Sequence, residues 1–269
     1  MPTPRATGRA ASIPDYFRLG GASHSPDHAH LCYGHDVAGS EFYTLRIRDL
    51  ATGEDLPDEM RETTGGAVWA ADGQSLYYTR VDANHRPREV YRHVLGTPSA
   101  EDERVYEEED SGFFVGVGRT QSRRFILIEA HDHETSEVWL IDAADPTGRP
   151  RLVAPREKGI EYGVEHHGDD LVILTNRDGA EDFRIALAPV DDPGPENWRD
   201  LVPHRPGTYI IDALPFARHM VRLERQDGLP RIVIREWAGG QEHAISFPEE
   251  AYSLGVLHGY EYDTDELRF

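Results

Sequence analysis

The sequence predicts an all-β fold, a β-propeller built from four-stranded antiparallel blades. Short apolar openings recur along the 269 residues at intervals of 45 to 49 positions. They begin at Leu31, Leu76, Phe125, Leu171, Met220 and Leu267. A period of about 40–50 residues with four short strands per repeat is typical of propeller blades. An α-solenoid of this period needs long stretches with apolar residues at i, i+3, i+4 and i+7, and the sequence has none.

The clearest repeat unit lies at residues 125–142. Its first strand, 125–128, is apolar at consecutive positions, so both of its faces should be covered. The next run, 138–141, has four apolar residues, too few for a helix, and fits a buried strand. We therefore expect Ile126, and Ile173 at the equivalent place in the next copy, to be buried between blades.

The other copies follow in order, separated by turn signals. In the first, Ser25, Pro26 and Asp27 predict a turn before the strand at Leu31. In the fourth, residues 183–187 alternate apolar and polar side chains, and a Pro/Gly/Asp cluster predicts the following loop. The repeats fall at approximately 15–60, 67–107, 113–155, 161–203, 209–247 and 252–269, giving one partial propeller domain over 15–269. Residues 1–14 are expected to form a flexible arm or a cut edge.

The last repeat is expected to begin at Tyr252 and to stop at Phe269 inside its second strand. Such a stop leaves backbone donors and acceptors without a neighbouring strand. The sequence therefore predicts an incomplete propeller, either part of a larger protein or one that closes with a partner.

Composition limits the classes of partner. The formal charge of −21 opposes binding to nucleic acid and anionic membranes and favours short basic peptides. The alternative is that acidity only keeps the surface soluble. Cys32 is the single cysteine, which excludes an intrachain disulfide and fits a reducing, cytoplasmic location. No apolar run of about 18 residues predicts a membrane span, and the first residues lack the apolar core of a secretory signal.

No catalytic or cofactor motif stands out. The stretch 21–25 contains Ser23 but lacks the second glycine of G-x-S-x-G and has no helix after it. No glycine loop to hold phosphate is present, so no cofactor is predicted. His131 and His133 are spaced like metal ligands on a strand, but zinc needs at least three ligands and the pair falls in a predicted turn. No metal site is predicted.

The densest run of charge is 107–110, between the last strand of one repeat and the first of the next. In a propeller such a connector passes from the outside of a blade to the central channel. Glu107 and Glu109 are therefore candidate peptide-binding residues that select basic peptides. A solvated connector is an equally acceptable interpretation.

Several segments together resemble the propeller of the prolyl oligopeptidase family of serine peptidases, in its oligopeptidase B (protease II) branch. The matching stretches are 25–27 (SPD), 39–43 (GSEFY), 68–72 (VWAAD), 76–78 (LYY), 86–90 (RPREV), 93–97 (HVLGT), 105–110 (VYEEED), 135–137 (TSE), 175–176 (TN), 179–180 (GA) and 224–225 (ER). Their order and spacing cover nearly all of residues 15–269.

The resemblance implies a seven-bladed propeller that caps an α/β-hydrolase domain and admits only short peptides. Members of this branch cut after Lys or Arg with a Ser-Asp-His triad in the hydrolase part. This sequence contains no such domain, so no catalytic residue is carried over and the chain by itself is predicted to be inactive. About five full blades plus partial ones are expected. Two alternatives remain open, a stand-alone propeller that binds proteins or peptides, and a degenerate relative that kept binding and lost chemistry.

Overall fold

A computed structural model describes residues 16–249 and 251–269 as an all-β fold of 19 antiparallel strands in four sheets. The predicted arm at 1–14 lies outside the described residues. The first sheet has seven strands, β1 (Arg18–His24), β2 (His30–Asp36), β3 (Tyr43–Asp49), β4 (Asp55–Trp69), β5 (Ser75–Val81), β6 (Pro87–Val94) and β7 (Glu103–Glu107).

Each of the other three sheets has four strands in chain order. The second contains β8 (Phe114–Arg119), β9 (Phe125–His131), β10 (Ser136–Asp142) and β11 (Arg151–Ala154). The third contains β12 (Tyr162–His167), β13 (Asp170–Thr175), β14 (Arg184–Pro189) and β15 (Arg199–Val202). The fourth contains β16 (Thr208–Pro215), β17 (His219–Gln226), β18 (Leu229–Glu236) and β19 (Glu242–Ala244). Single 3₁₀ turns lie at Ser99–Glu101, Arg177–Gly179 and Pro195–Asn197.

The seven-stranded sheet is two blades joined by one long strand. The first half of β4 pairs with β3 and the second half pairs with β5, and Thr63 lies opposite both Tyr43 and Arg80. The strand bends at Gly65, whose φ is +90° and where an added Cβ would lie 2.8 Å from the Tyr43 ring. Glycine is needed here because an L side chain meets both a strained backbone and an occupied space. The chain therefore forms five four-stranded blades of an incomplete β-propeller.

A separate apolar cluster fills each contact between successive blades. Ile126 and Ile128 of the third blade pack with Tyr77 of the second. On the opposite face of the same strand, Phe125 and Leu127 pack with residues of the fourth blade. Both faces of β9 are covered, as its consecutive apolar residues predict. The burial predicted for Ile126 and Ile173 is confirmed, since both are fully buried.

Cys32 is also buried, with 1% of its surface exposed, in the cluster shared by the first two blades. Burial raises the pKa of its thiol to about 12, so the reactive thiolate is disfavoured. Within residues 16–249 and 251–269, no helix is long and apolar enough to cross a membrane.

The strands predicted at Tyr252 and Leu267 are wrong. Residues 251–269 form no strand, and we call this segment the tail. Leu254, Val256 and Leu267 of the tail pack against the apolar face of the fifth blade, beside Phe216 and Ile232. The apolar side chains that suggested a sixth blade are therefore buried against the fifth blade by a segment without regular secondary structure. Among the described residues, no further strand pairs with this segment.

Candidate ligand site in the central channel

The first strands of the blades converge on a shared central channel. Ser23 of β1, Trp69 of β4, Arg119 of β8 and Glu165 of β12 line one cavity of about 330 Å³. These four residues come from four different blades, so the cavity lies where the inner strands meet. His258 of the tail completes the wall. We call it the Trp69 cavity.

A second channel cavity, also of about 330 Å³, adjoins the first and shares Arg119, Glu165 and His258 with it. Glu129 of β9 and Asp212 of β16 line this second space and not the Trp69 cavity, and we call the second space the Glu129 cavity. Its walls thus carry three carboxyl groups, those of Glu129, Glu165 and Asp212. A space of this size is in the range of small-ligand sites.

The local strand geometry explains why these carboxyl groups face the channel. In β12 the buried residues Tyr162, Val164 and His166 alternate with half-buried ones, so Glu165 lies on the face opposite to that core. In β16 the pairing register shifts between Ile210 and Asp212. Such a bulge re-aims the side chain that follows it.

Glu165 has a strongly perturbed carboxyl group. Burial raises its pKa to about 8, against the opposing effect of the Gln121 backbone N–H, which donates a hydrogen bond of 2.7 Å to Oε2. Burial also raises the pKa of Glu129. Desolvation favours the neutral form of a carboxyl group. Glu165 is therefore mostly protonated at pH 7 and becomes charged as the pH passes 8 or when a cation approaches.

Asp212 is paired with a histidine from the tail. The His258 Nε2 and the Asp212 Oδ2 lie 2.7 Å apart, and this hydrogen bond raises the pKa of His258. The pair holds the tail against the channel wall. A ligand cation that reaches Asp212 has to compete with His258 for the carboxylate.

The structure places the two residues predicted for peptide binding away from these cavities. Glu107 ends β7, the last strand of the second blade, and binds Arg88 at 2.9 Å and Arg104 at 2.8 Å. Glu109 is exposed in the connector that follows. Neither residue lines the Trp69 cavity or the Glu129 cavity. Their role in peptide binding stays a prediction.

The buried member of the acidic run is Glu108. It accepts a hydrogen bond of 2.6 Å from Arg156, which also binds Glu137 at 2.8 Å and lies over the Phe113 ring. This cluster joins the second and third blades. At residues 131–133, the Asp132 carboxylate accepts the backbone N–H groups of Glu134 and Thr135, which is ordinary turn chemistry. Among the described residues, no three His, Cys, Asp or Glu side chains form a possible metal site.

Sequence reasoning missed Glu129, Glu165 and Asp212. Each is a single acidic residue within a strand, two of them beside apolar residues on both sides in the blade core. A lone charge inside an otherwise buried strand is the signal that could have identified them, because such a position needs a polar space beside it. The density of charge along the sequence pointed instead to the connector at 107–110, which does not line these cavities.

Five antiparallel blades around a polar channel define the protein as an incomplete β-propeller with a ligand-sized central space. Residues 10–269 match the family described as "Prolyl oligopeptidase, N-terminal beta-propeller domain". This match spans nearly the whole chain, and the chain therefore belongs to that family, in its propeller domain. The resemblance found in the sequence is confirmed.

Individual relatives support the same assignment. The chain is 38% identical over 256 residues to dipeptidyl aminopeptidase BI of Pseudoxanthomonas mexicana, covering 95% of this chain and 35% of that protein. It is 34% identical over 256 residues to protease 2 of Moraxella lacunata, covering 94% and 36%. Oligopeptidase B from Trypanosoma brucei with covalently bound antipain, in its closed form, gives a TM-score of 0.86 at 31% identity, covering 94% and 37%. The chain spans about a third of the length of these relatives.

Proposed function

We propose that this chain is the substrate-filter part of an oligopeptidase B-like serine endopeptidase, which cleaves short peptides after Lys or Arg in the cytoplasm. Family membership and the relatives named above support this proposal. The partner of the propeller is an α/β-hydrolase domain that supplies the nucleophile, base and acid. The propeller contributes a narrow channel that excludes folded proteins by size and offers carboxyl groups that become charged when a cationic substrate approaches.

The observation that carries the proposal is the group of three carboxyl groups on the wall of the Glu129 cavity. A lysine or arginine side chain that reaches them gains charge-assisted hydrogen bonds, which are about twice as strong as neutral ones. An approaching cation also favours the ionised form of Glu165 and so lowers its pKa. With no peptide bound, the protonated Glu165 spares the cavity a buried negative charge. When a basic peptide enters, Glu165 ionises and the cavity becomes more negative.

The pH dependence of peptide binding tests this proposal. Because Glu165 is protonated below pH 8 and charged above it, affinity for a short arginine peptide amide should rise by about tenfold between pH 6.5 and 9. Glu165→Gln cannot ionise and should lose most of this rise. Isothermal titration calorimetry on the full chain measures both affinities.

Two further variants complete the experiment. Glu101→Gln, on an exposed 3₁₀ turn, is the matched control and should behave like the parent chain. Replacing Glu107 and Glu109 by Gln tests the sequence-based candidates, and in the complete peptidase it should lower kcat/KM for arginine-rich peptides. A flat pH profile that Glu165→Gln leaves unchanged would count against a carboxylate filter, and unchanged kcat/KM would remove Glu107 and Glu109 from it.

A second candidate function is a stand-alone propeller that binds peptides or proteins. The observation that favours it is the apolar cover that the tail places on the fifth blade. Both candidates predict that this chain alone does not hydrolyse an Arg-aminomethylcoumarin peptide. Cleavage sensitive to a serine reagent would overturn that expectation. Addition of a hydrolase domain from a relative separates the two, since only the filter proposal expects it to form a stable complex and restore cleavage.

A further inference from the structure

Arg119 is a cation in the channel without a partner among the described residues. It ends β8 and lies on the wall of both channel cavities, half-buried. Within residues 16–249 and 251–269 its guanidinium makes no ion pair and no hydrogen bond. Its charged neighbour is Arg123, which itself binds Glu261 at 3.3 Å. The arginine thus presents free donors to the channel.

Within the described part of the chain, Arg119 is a cavity-lining cation without a carboxylate partner in an acidic protein. Acidic residues outnumber basic ones by 49 to 28, and some arginines elsewhere, the half-buried Arg156 and the buried Arg184, bind two carboxylates each. Partial burial and repulsion from Arg123 lower the pKa of Arg119. Charged groups removed from water are normally paired. The Trp69 cavity therefore holds a local positive site within an acidic protein, where an anion is stabilised.

The surrounding groups limit the chemistry of that anion. The Trp69 indole N–H already donates to the Ser23 carbonyl at 3.0 Å, and the Gln121 amide donates to the Tyr260 carbonyl at 3.1 Å. Two arginines, Arg119 and Arg123, line this cavity, and the planar fork of Arg119 matches a group with two oxygens in one plane. Arg123 is paired with Glu261, so Arg119 is the arginine of this wall without a carboxylate among the described residues and can balance one negative charge. These features fit a carboxylate better than a doubly charged phosphate.

We propose that Arg119 binds the carboxylate of a short peptide, the α-carboxylate at its C-terminus. This inference rests on the proposed filter function and specifies its substrate class. Arg119 and Glu165 line the same two cavities, so a short peptide can place a basic side chain toward the carboxyl groups and its C-terminus toward Arg119. The channel then selects short peptides with a free C-terminus and fixes their orientation.

Binding of matched peptides to the full chain tests the inference. The probes are acetyl-Ala-Arg-Ala with a free C-terminus and the same peptide as the C-terminal amide, measured by calorimetry. The free acid should bind at least tenfold more tightly than the amide. Arg119→Gln should abolish this preference, and Arg119→Lys, which keeps the charge but loses the fork, should retain part of it. Arg205→Gln removes an exposed arginine that lines neither channel cavity, so this control variant should retain the preference in full.

Two other probes identify the source of the carboxylate and separate this inference from the filter proposal. Acetyl-Ala-Glu-Ala amide, which carries a carboxylate only on its side chain, should bind more weakly than acetyl-Ala-Arg-Ala with a free C-terminus. Equal or tighter binding would assign the site to acidic side chains instead of the C-terminus. N-acetylglycine, which has no basic group, should bind in an Arg119-dependent way even if no arginine peptide does. That result would support the carboxylate site at Arg119 and would contradict the proposal that the channel filters basic peptides. Equal affinity for acid and amide, with Glu165-dependent binding intact, overturns the inference and leaves the filter standing.

Discussion

Replacing Ile126 by Asp should leave the chain unfolded or aggregated at room temperature. Ile126 is fully buried in the cluster between the second and third blades. The aspartate either buries an unpaired charge or must be protonated, and both cost free energy. The smaller side chain also leaves part of the isoleucine volume empty. Losses of more than about 4–5 kcal/mol are expected from such changes, against total stabilities of about 5–15 kcal/mol for folded domains.

Circular dichroism and urea unfolding measure the effect, with Leu50→Asp as the control. Leu50 lies in the turn after β3 and is 46% exposed, so the same kind of substitution there should change the free energy of unfolding by about 0.5 kcal/mol or less. A normal unfolding transition for Ile126→Asp would show that β9 is not a core strand.

Replacing His93 by Gln should cost about 3 kcal/mol of stability at pH 6. His93 of β6 is fully buried between two carboxylates, with Nδ1 at 2.7 Å from Asp102 and Nε2 at 2.9 Å from Asp58. Tyr78 donates a further hydrogen bond of 2.7 Å to Asp102. Removing the cation leaves two buried carboxylates facing a neutral amide. Removing one partner of a buried ion pair typically costs about 3–5 kcal/mol.

The stabilisation by His93 should depend on pH in a defined direction. Burial alone lowers the pKa of His93, but the hydrogen bonds to Asp102 and Asp58 outweigh it and raise the pKa above its ordinary value of 6.5. The folded state therefore binds the proton more tightly than the unfolded state does. The contribution is complete below pH 6.5 and is lost as the pH rises through the folded-state pKa.

Urea unfolding of the parent chain and of His93→Gln from pH 5.5 to 9 checks this prediction. The difference in the free energy of unfolding should be largest at the acidic end and shrink toward pH 9. His133→Gln, at an exposed turn position, is the control and should follow the parent chain. A difference that stays constant or grows with pH would mean that His93 is neutral in the folded state.

Repeat period and strand burial could be predicted because both are local properties of the sequence. Consecutive apolar residues at 125–128 indicate a strand covered on two faces, and the structure supplies a blade on each side. The tail could not be predicted in this way. Tyr252 and Leu254 have the pattern of a first strand, but a strand also needs a partner for its backbone, and the sequence pattern does not say whether one is present.

The channel was the harder part because it is assembled from residues that are distant in sequence. Glu129, Glu165 and Asp212 come together only when three blades take their positions. The same holds for Arg119, whose lack of a partner is a property of the packed structure and not of its neighbours in the chain. The long strand β4 was also missed, since Pro57 and the two glycines at 65 and 66 indicate turns and hide its continuity.

The long strand β4 affects the order in which the blades unfold. Because one uninterrupted strand belongs to both of the first two blades, neither can detach without breaking hydrogen bonds in the other. Amide exchange in β2, β3, β5 and β6 should therefore report a single shared opening event. The later blades are joined by loops and can open one at a time. Local unfolding on heating should therefore start at the fifth blade and reach the first two blades last.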